Sequence, residues 1–210
     1  MAGGVGREVE AKFIVKSPSV LRPLCGLRRL GSFRRLSSRR ERQRNTYWDT
    51  AGLRMRRGKA ALKVRQVGGR RELSFKREIR RRGGVSERIE LTAPMKGAAR
   101  RLPETEPLRR ARKMAGSRDL QPVLTLLTDR RRQLLGRGKE RIEVDIDRVT
   151  VRKPGAGLGG HTEIELENVS ASPEAFREAL AEFRRRFGKS VAPSRFSKYE
   201  LGLRRLRRRS

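Results

Sequence analysis

Glu8-Val9-Glu10-Ala11-Lys12-Phe13-Ile14-Val15 alternates charged with apolar side chains. Successive side chains of a β-strand point to opposite faces. A strand here sets Glu8, Glu10 and Lys12 on one face against Val9, Ala11 and Phe13 on the other. The same alternation returns in Thr162-Glu163-Ile164-Glu165-Leu166-Glu167, where three carboxylates oppose Ile164 and Leu166. Rows of carboxylates repel one another. Two such rows, one with a lysine in step, read as halves of one charged cavity, with hard-metal ligands facing cations that hold an anion.

The segments between these rows continue the pattern. Lys63 and Arg65 share a face opposite Leu62 and Val64, and Lys76 opposes Leu73 and Phe75. Arg88 and Glu90 fall together with Ile89 and Leu91 turned away, Arg130 aligns with Arg132, and Glu143, Asp145 and Asp147 oppose three aliphatics. Any one-sided sheet alternates polar with apolar residues, so a single strand carries little weight. The segregation carries more: cations cluster in the middle strands, acids at both ends and in the seventh strand.

Alternation places strands at 7–15, 43–49, 60–67, 71–78, 85–92, 123–135, 140–152 and 161–168. Gly68-Gly69, Gly83-Gly84 and Gly136-Arg137-Gly138 read as hairpin turns, because glycine supplies the positive φ that tight turns need. The fold expected is α+β and mainly β. It is a closed antiparallel β-barrel of about eight strands forming a tunnel, since closure removes exposed edges. Three helices cover it, over Pro18–Leu30, Pro107–Ala115 and a run from Ser172, with the serine as cap and Pro173 at the first position, to Gly188. Segments 94–107 and 153–160 read as loops. One domain spans 1–210, with 204–210 a basic tail that is disordered or a short helix.

Lys+Arg outnumber Asp+Glu by 55 to 23, for a formal charge of +32. A field of that sign attracts polyanions such as RNA or polyphosphate without choosing among them. Cys25, the lone cysteine, has no disulfide partner and sits among Leu21, Leu24 and Leu27 as a core residue. With one cysteine and one histidine, His161, a zinc site or Cys-His catalysis has no support. No segment has the apolar length of a membrane span and no signal peptide is visible, so a cytoplasmic location is expected.

Glu8-x-Glu10-x-Lys12 resembles the signature of the CYTH superfamily, the triphosphate tunnel metalloenzymes. So do, in order, Tyr47-Trp48-Asp49-Thr50, Leu62-Lys63-Val64-Arg65, Lys76, Arg88-x-Glu90, Arg130, the Glu163-x-Glu165-x-Glu167 row and Ser197-Lys198-Tyr199. The match runs from residue 7 to about 203. Lys63 stands where many members carry arginine, exchanging a bidentate fork for a point charge.

The resemblance implies metal-dependent hydrolysis of a triphosphate, foremost inorganic triphosphate to pyrophosphate and phosphate. It assigns Glu8, Glu10, Glu163 and Glu165 to Mg²⁺ or Mn²⁺, with Glu167 and Asp147 as further ligands, though Asp145 shares the face of Asp147. Lys12, Lys63, Arg65, Lys76, Arg88, Arg130 and Lys198 grip the phosphates, and Glu8, Glu10, Lys12 and Glu165 form the catalytic set. Thiamine triphosphatase, nucleoside triphosphatase and adenylate-cyclase-like activities use the same grip. The rival from another class is a non-enzymatic polyphosphate- or RNA-binding module. Against it stands the scarcity of aromatics for base stacking, with Trp48 the lone tryptophan.

Overall fold

Glycine turns organise two meanders. Gly68 (φ 56°) joins β4 (Ala60–Val67) to β5 (Arg70–Arg82), and Gly83 and Gly84 (φ 57° and 79°) join β5 to β6 (Val85–Pro94). Gly138 (φ 54°), rather than Gly136, makes the corner between β7 (Gln121–Arg137) and β8 (Glu140–Lys153), which is followed by β9 (Ala156–Asn168). The computed structural model describes residues 5–97, 101–116, 118–153 and 156–207.

Two strands weld the meanders into a ring. β3 (Phe33–Asp49) lies between β4 and β7, and β1 (Val5–Val15) pairs with β6 through residues 5–11 and with β9 through residues 9–14. The order β1-β6-β5-β4-β3-β7-β8-β9 closes back on β1, antiparallel throughout, an eight-strand ring with a tunnel-like interior. Two short strands lie outside it: β2 (Arg29–Leu30) on β3 and β10 (Val191–Pro193) on β1.

The polar faces of the strands turn inward, so most of the apolar core lies outside the ring. Phe13, Val144, Ile146, Ile164 and Leu166 are buried beneath α1 (Leu21–Cys25) and α4 (Pro173–Phe187). Leu62, Val64, Leu73, Phe75 and Leu91 are buried beneath α2 (Arg54–Arg57) and α3 (Glu106–Ala115). α4 starts as its sequence requires, with Ser172 Oγ accepting from Ala175 N–H. A third cluster is internal. Leu124 and Leu126 share the face of Arg130, and Val149 and Val151 that of Asp147; Tyr199 and Leu203 of α5 (Lys198–Arg207) pack on them. α5 therefore seats in the barrel. A Cβ at Gly202 would lie 3.2 Å from both Leu124 and Leu126, so glycine permits that approach.

Three expectations need correction, and the tail takes the second of its two readings. The helix over Pro18–Leu30 is a 3₁₀ turn followed by α1, which ends at Gly26; Leu24, Leu27 and Leu30 are buried at helical spacing, yet the chain turns out to form β2. β3 begins at 33, not 43, because both faces of its outer half are polar and no alternation marks it. β9 begins at Ala156, which shortens the loop expected over 153–160. The tail is helical through Arg207 as a continuation of α5, while 208–210 lie outside the described residues.

Candidate active site

The inward faces enclose a cavity of about 580 Å³ lined from all the ring strands and α5. Every charged residue singled out for phosphate or metal on the alternation argument faces this interior or the ion pairs within it. Both Asp145 and Asp147 do so, each bonded to Arg130.

Three groupings organise the interior. In the first, Asp147, Glu163 and Glu165 bring carboxylate oxygens within 4.8 Å of one another. Lys198, delivered by the first turn of α5, puts Nζ 2.7 Å from Asp147, 2.5 Å from Glu163 and 2.6 Å from Glu165. Arg130 donates to Asp147 at 2.6 and 2.7 Å and to Glu165 at 2.8 Å, and Lys12 Nζ lies 2.6 Å from Glu165. Against the cost of burial, Lys12 and Lys198 hold the Glu163 carboxyl at about 2 and that of Glu165 well below its ordinary value. The same carboxylates raise Lys198, against burial, so this centre keeps its charges.

In the second grouping, Glu10 pairs with Arg88, and Lys12 Nζ lies 3.7 Å away. Burial opposes ionisation of Glu10, but Lys12 and Arg88 outweigh it and lower its carboxyl. The third grouping gathers two carboxylates around Lys76. Lys76 Nζ lies 2.6 Å from Glu8 and 3.2 Å from Glu90. Burial and a hydrogen bond to Glu90 push Glu8 up to about 7 in spite of Lys76, while Glu90, also against burial, is held low by Lys76. Glu167 faces Glu10 across the β1–β9 ladder, and burial together with the Glu8 charge raises its carboxyl to about 8.

Lys63 differs from the other interior cations. It is 7% exposed and makes no ion pair among the described residues. Burial first, then Arg65 and Lys76, push its ammonium well below the ordinary lysine value. Arg65 is engaged at the rim by Glu72 (3.2 Å) and Asn45 (3.4 Å).

The sequence reading overlooked Gln43 and Asn45, buried lining residues of β3 in step with Tyr47, and the pairing of Arg132 with Asp145 and Glu143. Alternation of Gln43, Asn45 and Tyr47 was the available signal, but uncharged amides do not stand out in so basic a chain. Within Tyr47-Trp48-Asp49-Thr50, Asp49 is an anchor. Its carboxylate accepts from the backbone of Thr50, Met55 and Arg56 and from Tyr199 Oη at 2.8 Å, tying α2 and α5 to β3.

The donor set of the first grouping is all carboxylate oxygen, which suits a hard divalent ion such as Mg²⁺ or Mn²⁺. That three carboxylates already converge on a single cation, the Lys198 ammonium, shows that the cluster is built around positive charge.

A ring of antiparallel strands around a buried array of cations and carboxylates defines a protein with a charged tunnel. The chain belongs to the CYTH family: the CYTH domain model matches residues 6–194. No curated protein sequence matches it. Among solved structures, it is similar to a candidate adenylyl cyclase from Hippeastrum described as having a dominant triphosphatase activity, at 20% identity and TM-score 0.61, covering 93% of this chain and 95% of that one. It is also similar to a candidate adenylate cyclase from Bacillus halodurans (20%, TM-score 0.63, 92% and 96%) and to a Pyrococcus horikoshii protein (17%, 0.54, 93% and 98%).

Proposed function

We propose that this CYTH domain is a divalent-metal-dependent triphosphatase that hydrolyses inorganic triphosphate to pyrophosphate and phosphate. One observation carries the reading: Lys63 is a buried amine that makes no ion pair among the described residues. Burial, Arg65 and Lys76 disfavour its charged form, so the cavity holds a basic group that only an incoming anion would compensate. A buried, uncompensated ammonium is costly, and an anionic ligand that enters the tunnel relieves that cost.

The residues then divide the work. Lys63, Arg65, Lys76 and Arg88 face the phosphate chain from β4, β5 and β6, while Lys12, Arg130 and Lys198 stand between it and the carboxylates. Glu163, Glu165 and Asp147, with Glu10 nearby and Glu8 and Glu167 beyond, would hold Mg²⁺ or Mn²⁺. When bound, the ion supplies charge neutralisation at phosphate oxygens and a more acidic water. A water oxygen bonds to the terminal phosphorus as the bond to the bridging oxygen breaks, the electron pair leaves on pyrophosphate, and the two protons of the water are divided between the phosphate and pyrophosphate products. Fixed ammonium and guanidinium groups stabilise the charge that develops there. Glu8, Glu10, Lys12 and Glu165 are the catalytic set.

The lining favours a bare phosphate chain over an organic triphosphate. Tyr47 and Tyr199 stack on each other, with centroids 5.0 Å apart and planes at 4°, and both are buried, so neither ring is free to hold a base or thiazole. No helix among the described residues is long and apolar enough to cross a membrane, and with the single thiol Cys25 we place the protein in the cytoplasm.

The test is phosphate release from triphosphate, ATP and thiamine triphosphate with Mg²⁺, with Mn²⁺ and with chelator. We expect metal-dependent turnover with triphosphate foremost. Equal rates in excess chelator remove the metal reading, and preference for an organic triphosphate removes the substrate.

A further inference from the structure

The helices leave one wall of the barrel bare. α1 and α4 cover β1, β8 and β9, and α2 and α3 cover β4, β5 and β6. Between them the outward faces of β3 over Arg40–Thr46, of β7 over Thr125–Arg131 and of the far half of β8 have no helix over them among the described residues. The register arrays this wall in rows: Arg40 beside Arg131, Arg42 beside Asp129 and Arg148, Arg44 beside Leu127 and Thr150, Thr46 beside Thr125 and Arg152. Arg40, Arg42, Arg44, Arg148 and Arg152 are exposed and Arg131 is half-buried.

Six arginines thus face one carboxylate, Asp129, which is taken by Arg40 through a hydrogen bond of 2.7 Å and a second contact. The other five make no ion pair among the described residues. Some helix arginines are paired instead: Arg109 and Arg110 with Glu106, Arg112 with Glu104, Arg177 with Glu174, and Arg185 with Glu182. What sets the wall apart is register: its arginines lie in rows on one face of three adjacent strands, with Asp129 the one acid in those rows.

We propose that this wall docks double-helical nucleic acid through its phosphates, without reading sequence. Strand spacing makes the array about 10 Å across and about 20 Å long. One polyphosphate chain or single strand lying along β3 would engage only Arg40, Arg42 and Arg44. The second rank, Arg148 and Arg152 on β8, lies about 10 Å from β3 with Arg131 on β7 between, comparable with the about 6–12 Å that separates phosphate strands across the grooves of a B-form duplex. Guanidinium suits bidentate phosphate contact. The wall offers no aromatic for stacking on unpaired bases, because Trp48, on the same side of β3, is packed into the cluster beneath α2 and α3.

The experiment measures binding of a short DNA duplex by fluorescence anisotropy at several salt concentrations. R42Q/R44Q/R131Q/R148Q is compared with R70Q/R77Q/R80Q/R82Q, which removes the same charge from β5. The wall variant is expected to weaken binding at least about tenfold and to shrink the log–log salt slope by about three to four, near 0.9 per lost phosphate contact. The β5 variant is expected to stay within about twofold of the parent, and phosphate release from triphosphate to be unchanged in both. The exposed pair R44Q/R148Q gives the same readout, about half as large, should the fourfold variant lose its melting transition. Equal losses in the wall and β5 variants would reduce the effect to net charge and overturn the proposal. So would wall-dependent binding of single-stranded RNA or polyphosphate as tight as that of the duplex.

Discussion

Lys63 and Arg130 are both buried basic residues, yet they stand in opposite relation to stability. Arg130 satisfies Asp145, Asp147 and Glu165 at once. Arg130→Met leaves three buried carboxylates short of a partner and should destabilise the fold by about 3–5 kcal/mol, read as a lower denaturation midpoint. Lys63→Met removes a buried amine that makes no ion pair among the described residues. We expect the free protein to melt at the same or a higher temperature, while KM for triphosphate rises at least about tenfold. A variant that loses stability and keeps its KM would show that Lys63 serves the fold. Glu165→Gln keeps the shape of a side chain touched by Lys12, Lys198 and Arg130 but removes its charge. Its kcat is expected to fall by roughly two orders of magnitude, and near-normal turnover would exclude Glu165 from the catalytic set.

At the scale of elements, α5 carries Lys198 into the carboxylates and is held by few features. Tyr199 Oη donates to Asp49, Tyr199 stacks on Tyr47, and Gly202 lies against Leu124 and Leu126. Tyr199→Phe keeps the stack and breaks the bond to a carboxylate already bound to three backbone N–H groups. We expect a loss of about 1–2 kcal/mol by denaturant titration. Gly202→Leu forces a side chain into a 3.2 Å gap. It should lift α5, withdraw Lys198 and lower kcat more than the melting temperature, since the clusters outside the ring are untouched. Unchanged kinetics in this variant would mean that α5 is a cover only.

At the scale of the molecule, opposing titrations predict a stability optimum in mildly acidic solution. Burial and the Glu8 charge raise Glu167 to about 8, so between about pH 4.5 and 8 the folded protein holds a proton that an unfolded chain has released. The Glu167 contribution is full below 4.5 and is lost as pH rises through 8. Glu163, held at about 2, acts in reverse: its contribution is present above 4.5 and is lost as pH falls toward 2. Melting temperature against pH checks both signs. Glu167→Gln should match the parent near pH 4.5 and exceed it at pH 8 and above, and equal curves across that range would show that Glu167 ionises freely.

The amino-acid sequence by itself determined the faces of the strands, the glycine corners and the family, because alternation and positive φ are properties of neighbouring residues. Glu8, Glu10 and Lys12 could therefore be placed on one face with no knowledge of the ring. It could not extend β3 over Arg34–Arg42, where both faces are polar, nor end the first helix at Gly26, where buried leucines keep helical spacing outside a helix. Only the tertiary structure decided the pairings. Which carboxylate meets which cation depends on how far the strands are staggered when β1 closes on β9, and that stagger sums over the whole ring. The same closure set Arg130 between Asp147 and Glu165, brought Lys198 in from α5, and, among the described residues, left Lys63 without an ion pair and the middle of the β3–β7–β8 wall without a helix. These are long-range consequences of closure and packing, which no local periodicity encodes.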